Sequence, residues 1–194
     1  MPLLLLVAGF AQLAAEPTPP SIDPAQLVMT DIDGQPVDGR DHAVTVVVFL
    51  KTGCPIANYY HPTLRRLAES WEREGNDVAL VQVHATATVT AEQAAAHREE
   101  YAVAGAVVVD PSQRLARTLA AEVTPEAFVL TADGHVHYHG RIDDTYVSFG
   151  RRRQVASEAT LADAVAAVLA GRTPRAAQVA AVGCRIHYVA ASQK

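Results

Sequence analysis

Two cysteines, Cys54 and Cys184, are the residues of this 194-residue sequence best suited to covalent chemistry. Cys54 stands in Lys51-Thr52-Gly53-Cys54-Pro55, a break between an apolar β-branched run and a Pro-initiated helical pattern. At a helix start, free backbone N–H groups and the positive dipole end stabilise an anion. A thiol placed there is acidified and more reactive. Lys51 adds positive charge nearby, and the Thr52 hydroxyl could hydrogen-bond the sulfur. The alternative is a small buried cysteine packing at a helix start.

Thr124-Pro125-Glu126 precedes another apolar run, a setting that suits a cis X-Pro bond or an ordinary trans proline at a strand entrance. His135, His137 and His139 alternate, so in a strand they share one face. Three imidazoles there are weak candidates for holding copper or zinc; a solvated hairpin face is the plainer reading. His61, two helical turns beyond Cys54, is expected to miss the sulfur. Arg151-Arg152-Arg153 reads as a solvated loop, too short a charge run to argue for nucleic acid.

The elements that must position these groups follow from periodicity. Residues 44–50, 78–83 and 106–109 are continuous apolar, β-branched runs, which predict strands covered on both faces. Pro55 to Glu74, Thr90 to Tyr101 and Glu158 to Leu169 carry helical spacing with start and stop signals. A further short helix is expected from Asp110-Pro111 through Leu119. Asp33-Gly34 and Asp133-Gly134 lie between apolar runs and predict hairpins. This β-α-β-α-β-α-β-β-α order gives an α/β domain, a central mixed sheet flanked by helices, with an N-terminal β-hairpin and a C-terminal extension.

Composition limits the alternatives. The chain is 49% apolar and 19% charged with a net charge of −5. Such a chain buries a core without metal or disulfide staples and is not of the nucleic-acid-binding type. Leu3 to Phe10 is an apolar run followed by the small residues Ala14-Ala15, which predicts a signal peptide over 1–15 and export to the periplasm or beyond. An uncleaved run would tether the chain to a membrane. A Pro-rich linker (16–21), one domain (22–172) and a Cys184-bearing tail (173–194) complete the expected organisation.

Phe49-Leu50-Lys51-Thr52-Gly53-Cys54-Pro55 and Val123-Thr124-Pro125-Glu126-Ala127-Phe128-Val129-Leu130 resemble the thioredoxin-like superfamily. So do Tyr138-His139-Gly140-Arg141-Ile142-Asp143-Asp144 and Val182-Gly183-Cys184-Arg185-Ile186. Within that superfamily the chain is similar to peroxiredoxin-like redoxins of the alkyl hydroperoxide reductase and thiol-specific antioxidant type. The resemblance implies a thioredoxin-like fold with Pro125 as a cis-proline facing a redox-active Cys54. It also implies a peroxide or disulfide substrate, an external thiol electron donor and no cofactor. Thr52 and Arg141 are the candidates for polarising a peroxide.

Two departures stand out. Lys51 replaces the first cysteine of Cys-x-x-Cys, which excludes a dithiol mechanism within that motif. Thr52 stands two residues before Cys54, where peroxiredoxins have Thr three before. Cys184 is the remaining thiol with which a sulfenic acid at Cys54 could condense, within one chain or from the partner subunit of a homodimer. A structural disulfide or a free cysteine are the other readings. A non-catalytic redoxin-fold binding or metal-carrying module is the alternative function.

Overall fold

The computed structural model describes residues 21–190. The expected leader and all but the last linker residue lie outside the described residues. Val28–Thr30 (β1) and Pro36–Asp38 (β2) form the first hairpin. The Asp31 carboxylate accepts the Asp33 and Gln35 N–H groups in its turn.

Val44–Leu50 (β3) has all seven residues buried and leads into Pro55–Arg73 (α1). Val78–His84 (β4), Ala91–Tyr101 (α2), Ala106–Val109 (β5) and Arg114–Thr118 (α3) follow. Thr90 caps α2 in a reciprocal box with Gln93, as Thr-x-x-Gln sequences do. Val123–Thr124 (β6), Glu126–Leu130 (β7), Val136–Gly140 (β8), Tyr146–Ser148 (β9) and Arg151–Arg152 (β10) precede Thr160–Leu169 (α4). Gln178–Val179 (β11) and Cys184–Arg185 (β12) close the chain.

The central sheet runs β11-β8-β7-β3-β4-β5. β3, β4 and β5 are parallel; β7 is antiparallel to β3, and β8 to β7. One face packs Val46, Val48 and Leu50 against Ile56, Tyr60 and Leu64 of α1 and Leu161 and Val165 of α4. The other packs Val47 and Phe49 against Leu115, Leu119 and Leu27. Period-two alternation along β3 thus feeds two cores at once. The expected mixed α/β sheet with flanking helices is what forms.

The tail pairs with the domain at two places. β11 adds an edge strand parallel to β8, and β12 pairs antiparallel with β6. No helix among the described residues is long and apolar enough to cross a membrane.

One part of the core is polar in a way that periodicity does not reveal. Gln82 and His84 share the α1-facing side of β4 with Leu80. There His61 of α1 and His84 lie fully buried around His97 of α2. The rings stand edge to face, His97 lying 5.2 Å from His61 and 5.1 Å from His84. Neither His84 nitrogen has a hydrogen-bond partner. Burial first, then the neighbouring His97, pushes His61 and His84 each down to about 4.

In the unfolded chain these imidazoles titrate near their ordinary value of about 6.5. Between that value and about 4 the unfolded state binds protons that the folded state excludes. Stability is therefore complete above pH ~6.5 and falls as pH drops through this window, by up to about 3 kcal/mol per histidine. We expect denaturant unfolding to show this loss, and a His61→Leu/His84→Leu variant to show a distinctly flatter pH dependence. Equal slopes would place the acid sensitivity elsewhere.

Candidate active site

Cys54 is the N-cap of α1, with Pro55 in its first turn. Pro suits that position, because its missing N–H is one that the helix cannot use. Cys54 Sγ accepts the Ala57 N–H at 3.5 Å, the bond that an N-cap side chain makes to the third helical residue. The sulfur is fully buried and its S–H donates to the Thr124 carbonyl at 2.9 Å.

Cys184 lies directly across from Thr124 in the β12–β6 pair, and the Thr124 hydroxyl donates to the Cys184 carbonyl at 3.3 Å. This places Cys184 beside Cys54, near enough for its side chain and backbone N–H to lower the Cys54 pKa. Both cysteines are reduced.

The two thiols are driven apart in acidity. Burial pushes Cys54 up, but donors from Cys184, the Ala57 N–H and Thr124 outweigh it and leave the thiol below its ordinary value. Cys184 is pushed up to about 11, first by burial and then by Cys54 beside it. The carbonyl of Thr124 favours the protonated form of Cys54, whereas the N–H donors favour the thiolate. Lys51, expected beside Cys54, acts on Cys184 and eases its ionisation.

The Thr124–Pro125 bond is cis. Two residues expected at the sulfur are not among its hydrogen-bonding neighbours. The Thr52 carbonyl accepts the Asn58 amide at 3.0 Å, and Thr52 lines a surface depression with Thr86, Val89 and His97. Arg141 forms an ion pair with Glu158. The reason lies at Gly140, whose φ of 141° ends the β8 alternation and where a Cβ would collide with the Val179 carbonyl. The next side chain therefore leaves the strand toward α4.

The alternation expected to put His135, His137 and His139 on one face is broken by a register shift, with Tyr138 packing into one core and Val136 into the other, and each histidine has its own engagement. His135 and His137 stand edge to face at 4.5 Å, His137 meets the Thr131 hydroxyl, and His139 stacks on Phe128 and faces Glu126. Among the described residues no three His, Cys, Asp or Glu side chains converge to hold a metal ion.

Sequence reasoning missed an aromatic wall. Tyr146 is close enough to Cys54 for the sulfur's charge to act on it, and it packs on Tyr59 and Tyr60. The Tyr60 hydroxyl donates to Asp143, and the Arg152 guanidinium covers Tyr59. Tyr59-Tyr60 in the first turns of α1 was the available signal. Asn58 was missed as well: it joins the Thr52 carbonyl to His97, and so ties the cysteine loop to the buried histidines.

Similar folds occur in solved structures. A hypothetical protein from Sinorhizobium meliloti 1021 is 25% identical, with 91% of this chain and 97% of that one covered at a TM-score of 0.73. An uncharacterized conserved protein from Geobacillus kaustophilus is 22% identical over 94% and 98%, also at 0.73. A secreted Mycobacterium tuberculosis disulfide oxidoreductase homologous to E. coli DsbE is 17% identical over 76% and 97%, at 0.51. The last two show likeness of fold, which is thioredoxin-like. No curated protein matches the sequence. Residues 16–148 match the model of the Redoxin family, well over half of the sequence, and the chain belongs to that family.

Proposed function

We propose that this redoxin is an exported thiol oxidoreductase working by dithiol–disulfide exchange, with Cys54 as nucleophile and Cys184 as resolving thiol. The observation that carries the reading is the meeting of two free thiols at Thr124, whose carbonyl takes the Cys54 S–H and whose strand partner is Cys184. The first cysteine missing from Cys-x-x-Cys is replaced by one brought in from the tail, within the same chain.

The Cys54 thiolate attacks one sulfur of a substrate disulfide. A Cys54–substrate mixed disulfide forms, and the first substrate thiolate leaves and is protonated. Cys54 is then neutral, so the anion that opposes Cys184 ionisation is gone. The Cys184 thiolate attacks the Cys54 sulfur and expels the second substrate thiolate. The substrate has gained two electrons, and the pair is left as a disulfide for an external thiol donor to reduce.

A peroxide would enter the same cycle through a sulfenic acid at Cys54, whose condensation with Cys184 releases water. The surroundings of the sulfur favour a disulfide as oxidant. Its neighbours are backbone N–H groups, Thr124 and Cys184, whereas the Thr52 hydroxyl and Arg141 are not hydrogen-bonded to it. Export is supported by the apolar start of the sequence, and a solved protein of like fold is described as secreted.

The test treats reduced protein with oxidised glutathione, and separately with hydrogen peroxide, and reads intact mass. Wild type should form an intramolecular disulfide, Cys184→Ser should retain a glutathione adduct on Cys54, and Cys54→Ser should form neither. Thiols that stay reduced would favour the non-catalytic binding module. Faster closure with peroxide than with glutathione would make the peroxide the substrate.

Acidity gives a second check. Cys184→Ala removes the thiol that lowers the Cys54 pKa while keeping the backbone N–H. The Cys54 titration, followed by thiolate ultraviolet absorbance, should move to higher pH. Cys184→Ser keeps a donor and should restore the titration toward wild type. An unmoved Cys54 in both variants would refute the coupling.

A further inference from the structure

The tail that carries Cys184 is fastened on both sides of it. Before it, β11 lies on β8, with the His139 N–H donating to the Ala177 carbonyl and the Arg141 N–H to the Val179 carbonyl. After it, the Ile186 N–H donates to the Glu122 carbonyl and the Tyr188 hydroxyl to the Ala121 carbonyl. Between these anchors, Gly183 lies so close to Thr124 that a Cβ would strike the Thr124 carbonyl. Val182 and Cys184 pack on the core cluster that contains Cys54. The nucleophile is therefore sealed under its own resolving segment.

One side chain outside the catalytic pair holds the far anchor. Gln113 is fully buried at the start of α3, with left-handed backbone (φ 56°). Its Nε2 donates to the Ala85 carbonyl at 2.9 Å and to the His187 carbonyl at 2.8 Å. Its Oε1 accepts the Val189 N–H at 2.9 Å. The amide thus joins the loop after β4 to two peptide groups of the tail, filling donor and acceptor sites that would otherwise be buried unpaired. On the outside, Arg117 donates to the Val189 carbonyl and lies over the Tyr188 ring at 4.6 Å.

We infer that Gln113, backed by Arg117, is the positioning residue of the resolving thiol: it latches the tail over Cys54, limiting substrate access while keeping Cys184 within reach. This rests on the proposed Cys54–Cys184 chemistry. It carries an opposed pair of consequences. A looser latch uncovers Cys54 more often, so first attack speeds up. It also lowers the local concentration of Cys184 at Cys54, so ring closure slows down. General loosening of the fold does not predict that combination.

The experiment uses the full chain and two variants. Gln113→Asn keeps a residue that tolerates left-handed backbone but is too short to bridge to the tail. Arg117→Gln loosens the same anchor from the exposed side and leaves the core untouched. Site-resolved iodoacetamide labelling of reduced protein gives the accessibility of Cys54. Stopped-time mass analysis after glutathione oxidation gives the conversion of the Cys54 adduct to the Cys54–Cys184 disulfide.

For Gln113→Asn we expect Cys54 labelling to rise, and closure to fall, by about tenfold, the scale of losing more than one buried hydrogen bond. Arg117→Gln should shift both rates in the same directions by less. Unchanged labelling or unchanged closure in a folded Gln113→Asn protein overturns the inference. If that variant does not fold, Arg117→Gln decides the matter by the same two rates. A wild-type chain that forms no Cys54–Cys184 disulfide refutes the underlying redox reading instead, so the two failures are distinct.

Discussion

The site depends on where Thr124 sits. Its carbonyl takes the Cys54 thiol, and its hydroxyl and strand position hold Cys184. That place is set by the sheet. β3 and β7 are antiparallel with Phe49 opposite Glu126, so the residues just before β7 must lie against the turn that follows β3. That turn carries Cys54. A register shift of one residue would turn each side chain of β7 to the other face and remove Thr124 from the sulfur. The buried apolar pattern that fixes the sheet register is also what fixes the thiol geometry.

The electrostatics of the pair follow from solving two problems at once. A thiol sealed from water resists ionising, and burial is the largest influence on Cys54. The donors that overcome it come from the helix start, where peptide N–H groups have no partner within the helix, and from the tail. Cys184 contributes to the acidity of Cys54 while suffering the reverse effect itself. In the proposed reaction this sets the order of attack: the first thiolate is Cys54, and Cys184 becomes competent once Cys54 is in a covalent bond.

What could be read from the sequence was what is local. The apolar run of β3, the capping signals of α1 and α2, and the Asp-Gly turns are written in neighbouring residues, and they gave the mixed sheet and the helix-start cysteine. The pairing of Cys184 with Thr124 is a contact between segments sixty residues apart, for which no periodicity exists. His61, His84 and His97 belong to different elements and meet only when α1 and α2 cover β4. Arg141 is a candidate through the family resemblance and not through periodicity; it follows a glycine whose positive φ ends the strand, and it pairs with Glu158. Gln113 left no sequence signal, since a lone glutamine before a short helix is ordinary; its importance comes from the tail that returns to it.

In the proposed reaction, holding a dithiol together across the chain, not within one turn of helix, changes what sets its redox balance. Donors that stabilise the Cys54 thiolate stabilise the reduced state and make the pair more oxidising. A fastened tail acts in the other direction: it raises the effective concentration of Cys184 at Cys54, which favours the disulfide and makes the pair more reducing. In a Cys-x-x-Cys motif both effects come from the same few residues and cannot be separated. Here the first is shared between the start of α1 and Cys184 itself, and the second rests on contacts near α3 that hold the tail. Gln113 and Arg117 can therefore change the closeness of the partner without touching the helix-start N–H that acts on the nucleophile.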